Sequence, residues 1–582
     1  MLVLVPALAL ASSASLSLAA PQQGIHPARH RPGPISTDGP APPADGGLIG
    51  QFPGWPIKLT NDTPYRPRRG VVFVDLDSDG PLEIVFSNSD GLLHAWNHDT
   101  TPEAGFPVDL GGFTPSAPSV GDVDSDGMPE IVQFVETTSG GGEVWILEQD
   151  GTSAPGFPLA FPGVVDTGAP TLSDLDDDGV LELLVPERTA TGGQLHVIEP
   201  EGSAWSGAWP VPLDAAPTGS PSVGDLDADG TPEILFQSEL SLYVWDTAGA
   251  VLPGWPQDLG NFLRGSPSMA DIDHDGDLEI AVSSDAGAWL LHHDGTVLPN
   301  WPRPYGAQSQ CPPVLIDLEG DGSYEILAGR SGWSPLFWCW IPAGWEKFAY
   351  SDIQGGGVQL ITSADIDGDG FPEIFTDHSV KAAGQGYIAG VDRFGNTLPG
   401  FPLRPSGWTY ENGAHLADVD GDGDVDLGTV TFDDNEILVY LYDLPGPWTP
   451  GSTPWPTYQV SQERGGLEGS TEALHLQGTT SLGSTLQVTV AGDAGDDALV
   501  AVAFGTGLTL LPGYGWLGLA PSPAPIVLFT GEIGAAGQAS FSLPVPPEPA
   551  AAGASFFLQG LTSPDLALGG SLSNVIGKTI LP

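Results

Sequence analysis

One nine-residue pattern, written eight times, limits what this chain can become. Its cleanest copy is Asp365-Ile366-Asp367-Gly368-Asp369-Gly370-Phe371-Pro372-Glu373. Acids at positions 1, 3 and 5 fall on alternate residues of a tight turn, and the glycine at position 6 permits the sharp bend. Position 7 can offer a backbone carbonyl, and the acid at position 9 can close the shell with two oxygens. The result is an all-oxygen cage for a hard cation with six or seven ligands. Calcium suits it better than magnesium, which demands a smaller octahedron and keeps its waters. Short apolar runs flank the cage, Leu360-Ile361-Thr362 before it and Ile374-Phe375 after it. They read as β-strands, so the cage is expected in a strand-to-strand turn and not between helices.

Successive copies start 46–53 residues apart. The expected calcium ligands of the first four are Asp75, Asp77, Asp79 and Glu83; Asp122, Asp124, Asp126 and Glu130; Asp174, Asp176, Asp178 and Glu182; and Asp225, Asp227, Asp229 and Glu233. Those of the last four are Asp271, Asp273, Asp275 and Glu279; Asp317, Glu319, Asp321 and Glu325; Asp365, Asp367, Asp369 and Glu373; and Asp418, Asp420, Asp422 and Asp426. Two copies depart. Glu319 stands at position 3 and Asp426 at position 9, which keeps the charge, changes the side-chain length and predicts weaker sites. Solvated acidic turns are common on surfaces, but eight at a near-constant period point to one cation per repeat.

Around each loop the chain repeats one order. A strand with small residues comes first, as in Pro221-Ser222-Val223-Gly224, then the loop, then a strand starting on the closing acid, as in Glu233-Ile234-Leu235-Phe236. A third strand carries aromatics (Leu242-Tyr243-Val244-Trp245), and a turn such as Asp294-Gly295 leads to an outer segment with Gly-Trp/Phe-Pro. That tripeptide is Gly54-Trp55-Pro56, Gly105-Phe106-Pro107, Gly156-Phe157-Pro158, Gly254-Trp255-Pro256 and Gly400-Phe401-Pro402. Ala208-Trp209-Pro210 and Asn300-Trp301-Pro302 are variants, and the stretch before the seventh loop lacks it. Three or four short strands per repeat read as propeller blades, with the Trp or Phe packed between neighbours.

These residues resemble the FG-GAP/VCBS repeat family, the calcium-loop β-propellers related to the integrin α-chain head. The resemblance implies a propeller with calcium between the first two strands of a blade, held by the Asp, Asp, Asp and Glu positions named above. Integrin heads have seven blades; eight loops imply eight, or seven with a displaced unit. The closing stretch Pro454-Trp455-Pro456 to Gly465-Gly466 resembles the terminal unit of secreted bacterial members and is expected to pair back and close the ring.

The expected fold is therefore all-β: a seven- or eight-bladed calcium propeller over 48–466, followed by a small β-sandwich over 467–582. Residues 1–19 read as a signal peptide, apolar from Leu2 to Ala11 with Ser17-Leu18-Ala19 as a cleavage site, though without a basic residue near the start. Residues 20–47 form a Pro- and Gly-rich linker. From about Leu467 acids thin out and alternation appears, as in Thr485-Leu486-Gln487-Val488-Thr489-Val490, with further strand-like runs at Ala498 to Ala503, Ile526 to Phe529 and Ala554 to Leu558. Cys311 and Cys339 are expected on the first and third strands of one blade, too far apart to bridge.

Charge narrows the function. The chain carries 74 acids against 16 Lys and Arg, a net charge of −58. Four acids in each of eight loops account for 32 of the 74, and calcium offsets part of that charge. The rest argues against nucleic acid or an anionic membrane as partner, and no apolar run is long enough to span a bilayer. Other candidate features are few. Trp333, Trp338, Trp340, Trp345 and Tyr350 could form a stacking platform or simply fill the space between blades. Arg66, Arg68 and Arg69 could hold an acidic ligand or pair with nearby acids. His94 with His98, and His292 with His293, have no partner set legible in the sequence. No nucleophile signature, phosphate loop, zinc spacing or dinucleotide fingerprint appears. The favoured reading is a secreted, non-enzymatic adhesion or recognition module for an extracellular protein or polysaccharide. The alternatives are a lyase-like polysaccharide-degrading enzyme, disfavoured by the scarcity of Lys and Arg, and a structural surface or matrix protein.

Overall fold

The computed structural model describes residues 49–448 except 62–67, 166–167, 177, 274, 307, 321, 333 and 352–355, together with Thr457 and the backbone of nine strands between Leu474 and Thr579. The expected signal peptide and linker, Arg66, Asp321, Trp333 and most of the closing stretch lie outside the described residues. No helix among the described residues is long and apolar enough to cross a membrane.

Eight antiparallel sheets follow one another along the chain. They span 72–109, 119–161, 171–213, 222–258, 263–291, 314–350, 361–391 and 415–447. These are the blades of a β-propeller, numbered 1 to 8 in that order. Blade 4 is representative: Ser222–Gly224, Glu233–Gln237, Ser241–Trp245 and Gln257–Asp258 pair in sequence order. Blades 5 and 7 have three regular strands, and isolated bridges Ala288–Arg303 and Ile388–Leu403 supply the outer edge.

Packing between blades makes the ring. Each blade presents the apolar residues of one face to the next, and eight buried clusters join successive pairs. The last of these puts Trp55, Phe73, Ile84 and Trp96 against Val419, Val430 and Val439, closing blade 8 on blade 1. Hydroxyls reinforce the inner strands. Ser119 Oγ donates to the carbonyl of Pro170 at 2.6 Å, Ser222 to Pro267 at 2.8 Å and Ser268 to Pro313 at 2.6 Å. Pro170 and Pro313 directly precede the next inner strand, and Pro267 lies within Leu263–Ala270. Ala169 and Leu360, four blades apart, pack together and fill the axis at that level.

The Gly-aromatic-Pro tripeptides sit between blades as expected. Trp55, Phe106, Phe157, Trp209, Trp255, Trp301 and Phe401 are all buried. Trp55 Nε1 donates to the His98 carbonyl at 2.7 Å, Trp255 to that of His293 at 3.0 Å and Trp301 to that of Pro342 at 2.7 Å, each in the next blade's turn. The glycine is needed for the same approach: a Cβ on Gly105 would stand 1.9 Å from the Asp150 carbonyl oxygen.

The closing stretch expected to pair back lies outside the described residues but for Thr457. Among the described residues, Gly50–Gln51 and Ile57–Thr60 add to blade 8 by pairing antiparallel with its strand Glu436–Pro447. This explains why Gly54-Trp55-Pro56 precedes the first loop: it belongs to the last blade. Thr457 is the one described residue of the closing stretch, and its Oγ1 lies 2.8 Å from His415 Nδ1.

Toward the C-terminus, Leu474–Gln477, Thr485–Ala491 and Gln538–Pro544 form one antiparallel sheet. Ile526–Glu532, Asp497–Ala503, Ser555–Asp565 and Gly569–Thr579 form a second, and Thr506–Leu511 pairs with Gly515–Leu519. The strand-like runs expected there are strands.

Candidate metal centres

Each acid loop leaves the innermost strand of a blade and ends on the first residue of the second, except in blade 8, where Asp426 is the third residue of Asp424–Asp433. The apolar residue at position 2 is buried in all eight (Leu76, Val123, Leu175, Leu226, Ile272, Leu318, Ile366 and Val419). It pins the loop into the seam between blades. Its N–H donates to the closing acid every time: Leu76 to Glu83 at 2.7 Å, Val123 to Glu130, Leu175 to Glu182 and Leu226 to Glu233 at 2.8 Å, and Ile272 to Glu279 at 3.0 Å. Leu318 to Glu325 at 3.1 Å, Ile366 to Glu373 at 2.9 Å and Val419 to Asp426 at 2.8 Å complete the set. One oxygen of each closing acid thus fixes the loop. In the second loop the other accepts from Gln149 Nε2 at 3.2 Å.

The opening Asp is equally regular. Its Oδ2 accepts the N–H of the position-6 glycine at 2.6–3.2 Å in all eight loops. That glycine has positive φ, 87° at Gly370, a conformation that side chains resist. Oδ1 of the opening Asp also accepts the position-5 N–H at 3.0–3.2 Å in the first four loops, and the acid side chains converge. Ligand atoms of Asp75, Asp77 and Glu83 lie within 4.8 Å of one another, as do those of Asp122, Asp124 and Glu130, of Asp174, Asp176 and Asp178, and of Asp225, Asp227 and Asp229.

The residues fit a cation. Glu83 Oε1 is buried and has no hydrogen-bond partner among the described residues, a cost of about 1–3 kcal/mol or more. A divalent ion would satisfy it. Burial, and then the neighbouring loop aspartates, raises the closing acids far above the ordinary carboxylate range. Glu83, Glu182 and Glu233 are pushed up to about 7, and Glu130, Glu373 and Asp426 to about 8. Like charges crowded in a low-dielectric seam cannot all ionise unless a cation joins them.

Reading the sequence missed the residues that face the loops from the third strand. Glu148 and Glu199 follow the third strands of blades 2 and 3. Their pKa values are raised by burial and then by the loop aspartates Asp124 and Asp126, and Glu201, Asp176 and Asp178, respectively. Asp443 lies directly opposite Asp426. In blade 5 the facing residue is His292, with Nδ1 3.1 Å from Glu279 Oε1 and ligand atoms of Asp273, Glu279 and His292 within 4.8 Å of one another. It adds a nitrogen donor to the fifth loop. His293 instead turns to Asp277, Nδ1 to Oδ2 2.9 Å. Only the cross-strand register, invisible in the linear pattern, identifies these residues.

The other candidates resolve differently. His94 is buried, stacks on Trp96 at 4.8 Å and has its pKa lowered to about 4 by burial. His98 contributes its carbonyl to Trp55. Arg68 pairs with Glu411, Nε to Oε2 3.2 Å, as the bland reading of that cluster expects. Trp340 and Tyr350 are core residues. Trp338 is sandwiched by stacking on Trp340 at 5.8 Å and Tyr305 at 5.9 Å, while Trp345 stands 71% exposed. Trp338 and Trp340 thus belong to the seam between blades 5 and 6, and Tyr350 to that between blades 6 and 7. Cys311 and Cys339 are buried free thiols, and Cys311 precedes the first strand of its blade. A cavity of about 240 Å³ between blades 2 and 3 is lined by Phe161, Pro162, His196 and Trp209. Behind it, buried Glu187 holds His196 Nε2 at 2.9 Å.

No protein-family model matches the chain, and no curated protein matches it. Among solved structures, the V. cholerae biofilm matrix protein Bap1 is similar at 14% identity with a TM-score of 0.51, over 71% of this chain and 94% of that one. BBS1N in its complex with ARL6DN is similar at 13% identity with a TM-score of 0.37, over 67% and 97%. At these identities the likeness is one of fold.

Proposed function

We propose that this chain is a secreted, calcium-stabilised recognition or adhesion propeller of the FG-GAP/VCBS type, binding an extracellular protein or polysaccharide without turning it over. The observation that carries the reading is the eightfold identity of the loops. Each buries a closing acid against its own position-2 N–H and leaves carboxylate oxygens converging on one point. An oxygen-only cage of this kind favours calcium, with its loose geometry, over magnesium. Export supplies that ion, and residues 1–19 are the export signal. Residues 467–582 form a separate sandwich that presents the ring or tethers it.

A second reading, a structural component of an extracellular matrix, is favoured by the likeness to a protein described as a biofilm matrix protein. Both make the propeller a scaffold. The test is size-exclusion of a panel of soluble polysaccharides incubated with the protein, with and without calcium. Intact polymer co-eluting only with calcium supports recognition. Shortened polymer means an enzyme and removes the non-enzymatic reading.

A further inference from the structure

Blade 6 departs from its neighbours in ways that meet at its acid loop. Position 3 is Glu319, one methylene longer than the Asp used elsewhere. The third strand, Phe337–Trp340, turns at 341–345 straight into the outer strand Glu346–Tyr350, with no Gly-aromatic-Pro excursion. The register shifts between Cys339 and Trp340. This hairpin sets Lys347 over the loop. Its Nζ donates to Glu325 Oε1 at 2.9 Å and to Glu319 Oε2.

The cage itself is folded like the others. Glu325 Oε2 accepts the Leu318 N–H, and Asp317 Oδ2 accepts that of Gly322. What differs is the second oxygen of the closing acid: here it already holds an ammonium, where Glu130 Oε1 accepts from the Gln149 amide and Glu279 Oε1 meets the His292 ring. Among the described residues, the closing acids of the other seven loops have no Lys or Arg partner. In a chain with 16 basic residues against 74 acids, a lysine 21% exposed against a glutamate 5% exposed is a specific placement. A divalent ion entering this loop must break two charge-assisted hydrogen bonds and expel a like charge.

We infer that the Lys347 ammonium is the resident cation of the sixth loop, standing where the other loops take calcium. The inference rests on the calcium reading above. The ring then carries seven calcium sites and one blade whose loop is neutralised by its own side chain.

The test counts bound calcium by equilibrium dialysis of the full-length protein at saturating calcium. Seven ions are expected for the wild type, eight for Lys347→Gln, and seven for Lys347→Arg, which keeps the charge. Eight ions in the wild type, or seven in Lys347→Gln, would overturn the assignment while leaving the calcium reading intact. No bound calcium at all would remove the calcium reading itself. If Lys347→Gln unfolds in calcium-free buffer, recovery of the fold on adding calcium supports the assignment, and failure to recover counts against it.

Discussion

At the scale of single residues, the closing acids are the groups that the proposed calcium would ionise. Without calcium the fold holds Glu130, Glu373 and Asp426 protonated up to about pH 8. The unfolded chain releases those protons near pH 4–4.5, roughly. The folded apo form therefore binds more protons, and its stability falls as pH rises between those limits. In calcium-free buffer the melting temperature should be highest near about pH 5 and drop steadily to about pH 8; saturating calcium should abolish the drop. A flat calcium-free profile would mean that these acids are not crowded as described. Glu373→Gln, which mimics the protonated acid, should leave the calcium-free melt at neutral pH unchanged or raised. It should also remove about one-seventh of the stabilisation that calcium confers, since separate sites add. Both effects are read from thermal melts with and without calcium.

At the scale of elements, the blade seams carry the fold and the tripeptide aromatics carry the seams. Trp255 is buried, and its indole bonds the next blade's turn; Trp255→Ala should cost about 3–5 kcal/mol. Trp345, 71% exposed in the one blade without the tripeptide, is the matched control, and Trp345→Ala should change stability by no more than about 0.5 kcal/mol. Urea unfolding of the two variants checks both. This scale also divides what the sequence revealed from what it hid. The loops and their flanking strands were legible because Asp365 to Glu373 is a local pattern, with its ligands, bend and apolar anchor in one short run. Glu148, Glu199, His292 and Lys347 were not, because each meets its loop only through the register of the third or outer strand. The Trp333–Tyr350 stretch looked like one platform because its aromatics are dense in sequence. Strand alternation sends Trp340 and Tyr350 inward, and the turn sends Trp345 out.

At the scale of the whole molecule, the acid loops crowd one rim. Leu82 N donates to Val419 O at 2.7 Å and Leu278 N to Leu226 O at 2.9 Å, joining the first loop to the eighth and the fourth to the fifth. Acidic charge is thus concentrated along that rim. With sites of Kd about 0.1–1 mM at ~1 mM calcium, binding contributes roughly 0.4–1.4 kcal/mol per loop, so seven or eight loops together approach the full stability of a domain. Chelation should lower the melting temperature by tens of degrees; an unchanged melt would show the loops to be empty turns. Removing residues 1–60 deletes both strands that complete blade 8. The truncated protein should melt lower and self-associate through the bared edge of Glu436–Pro447 on size-exclusion.

Closure by the chain's first strands also has a timetable. Lys58 pairs with Glu436, 378 residues later. At about 5–20 residues per second, roughly 20–80 s pass between the synthesis of one partner and the arrival of the other. Throughout that interval residues 50–60 lack the strand of blade 8 on which they dock, and every blade formed meanwhile belongs to an open arc. The last blade synthesised is the one that can recruit the beginning, so the propeller becomes a ring only after nearly all of it exists.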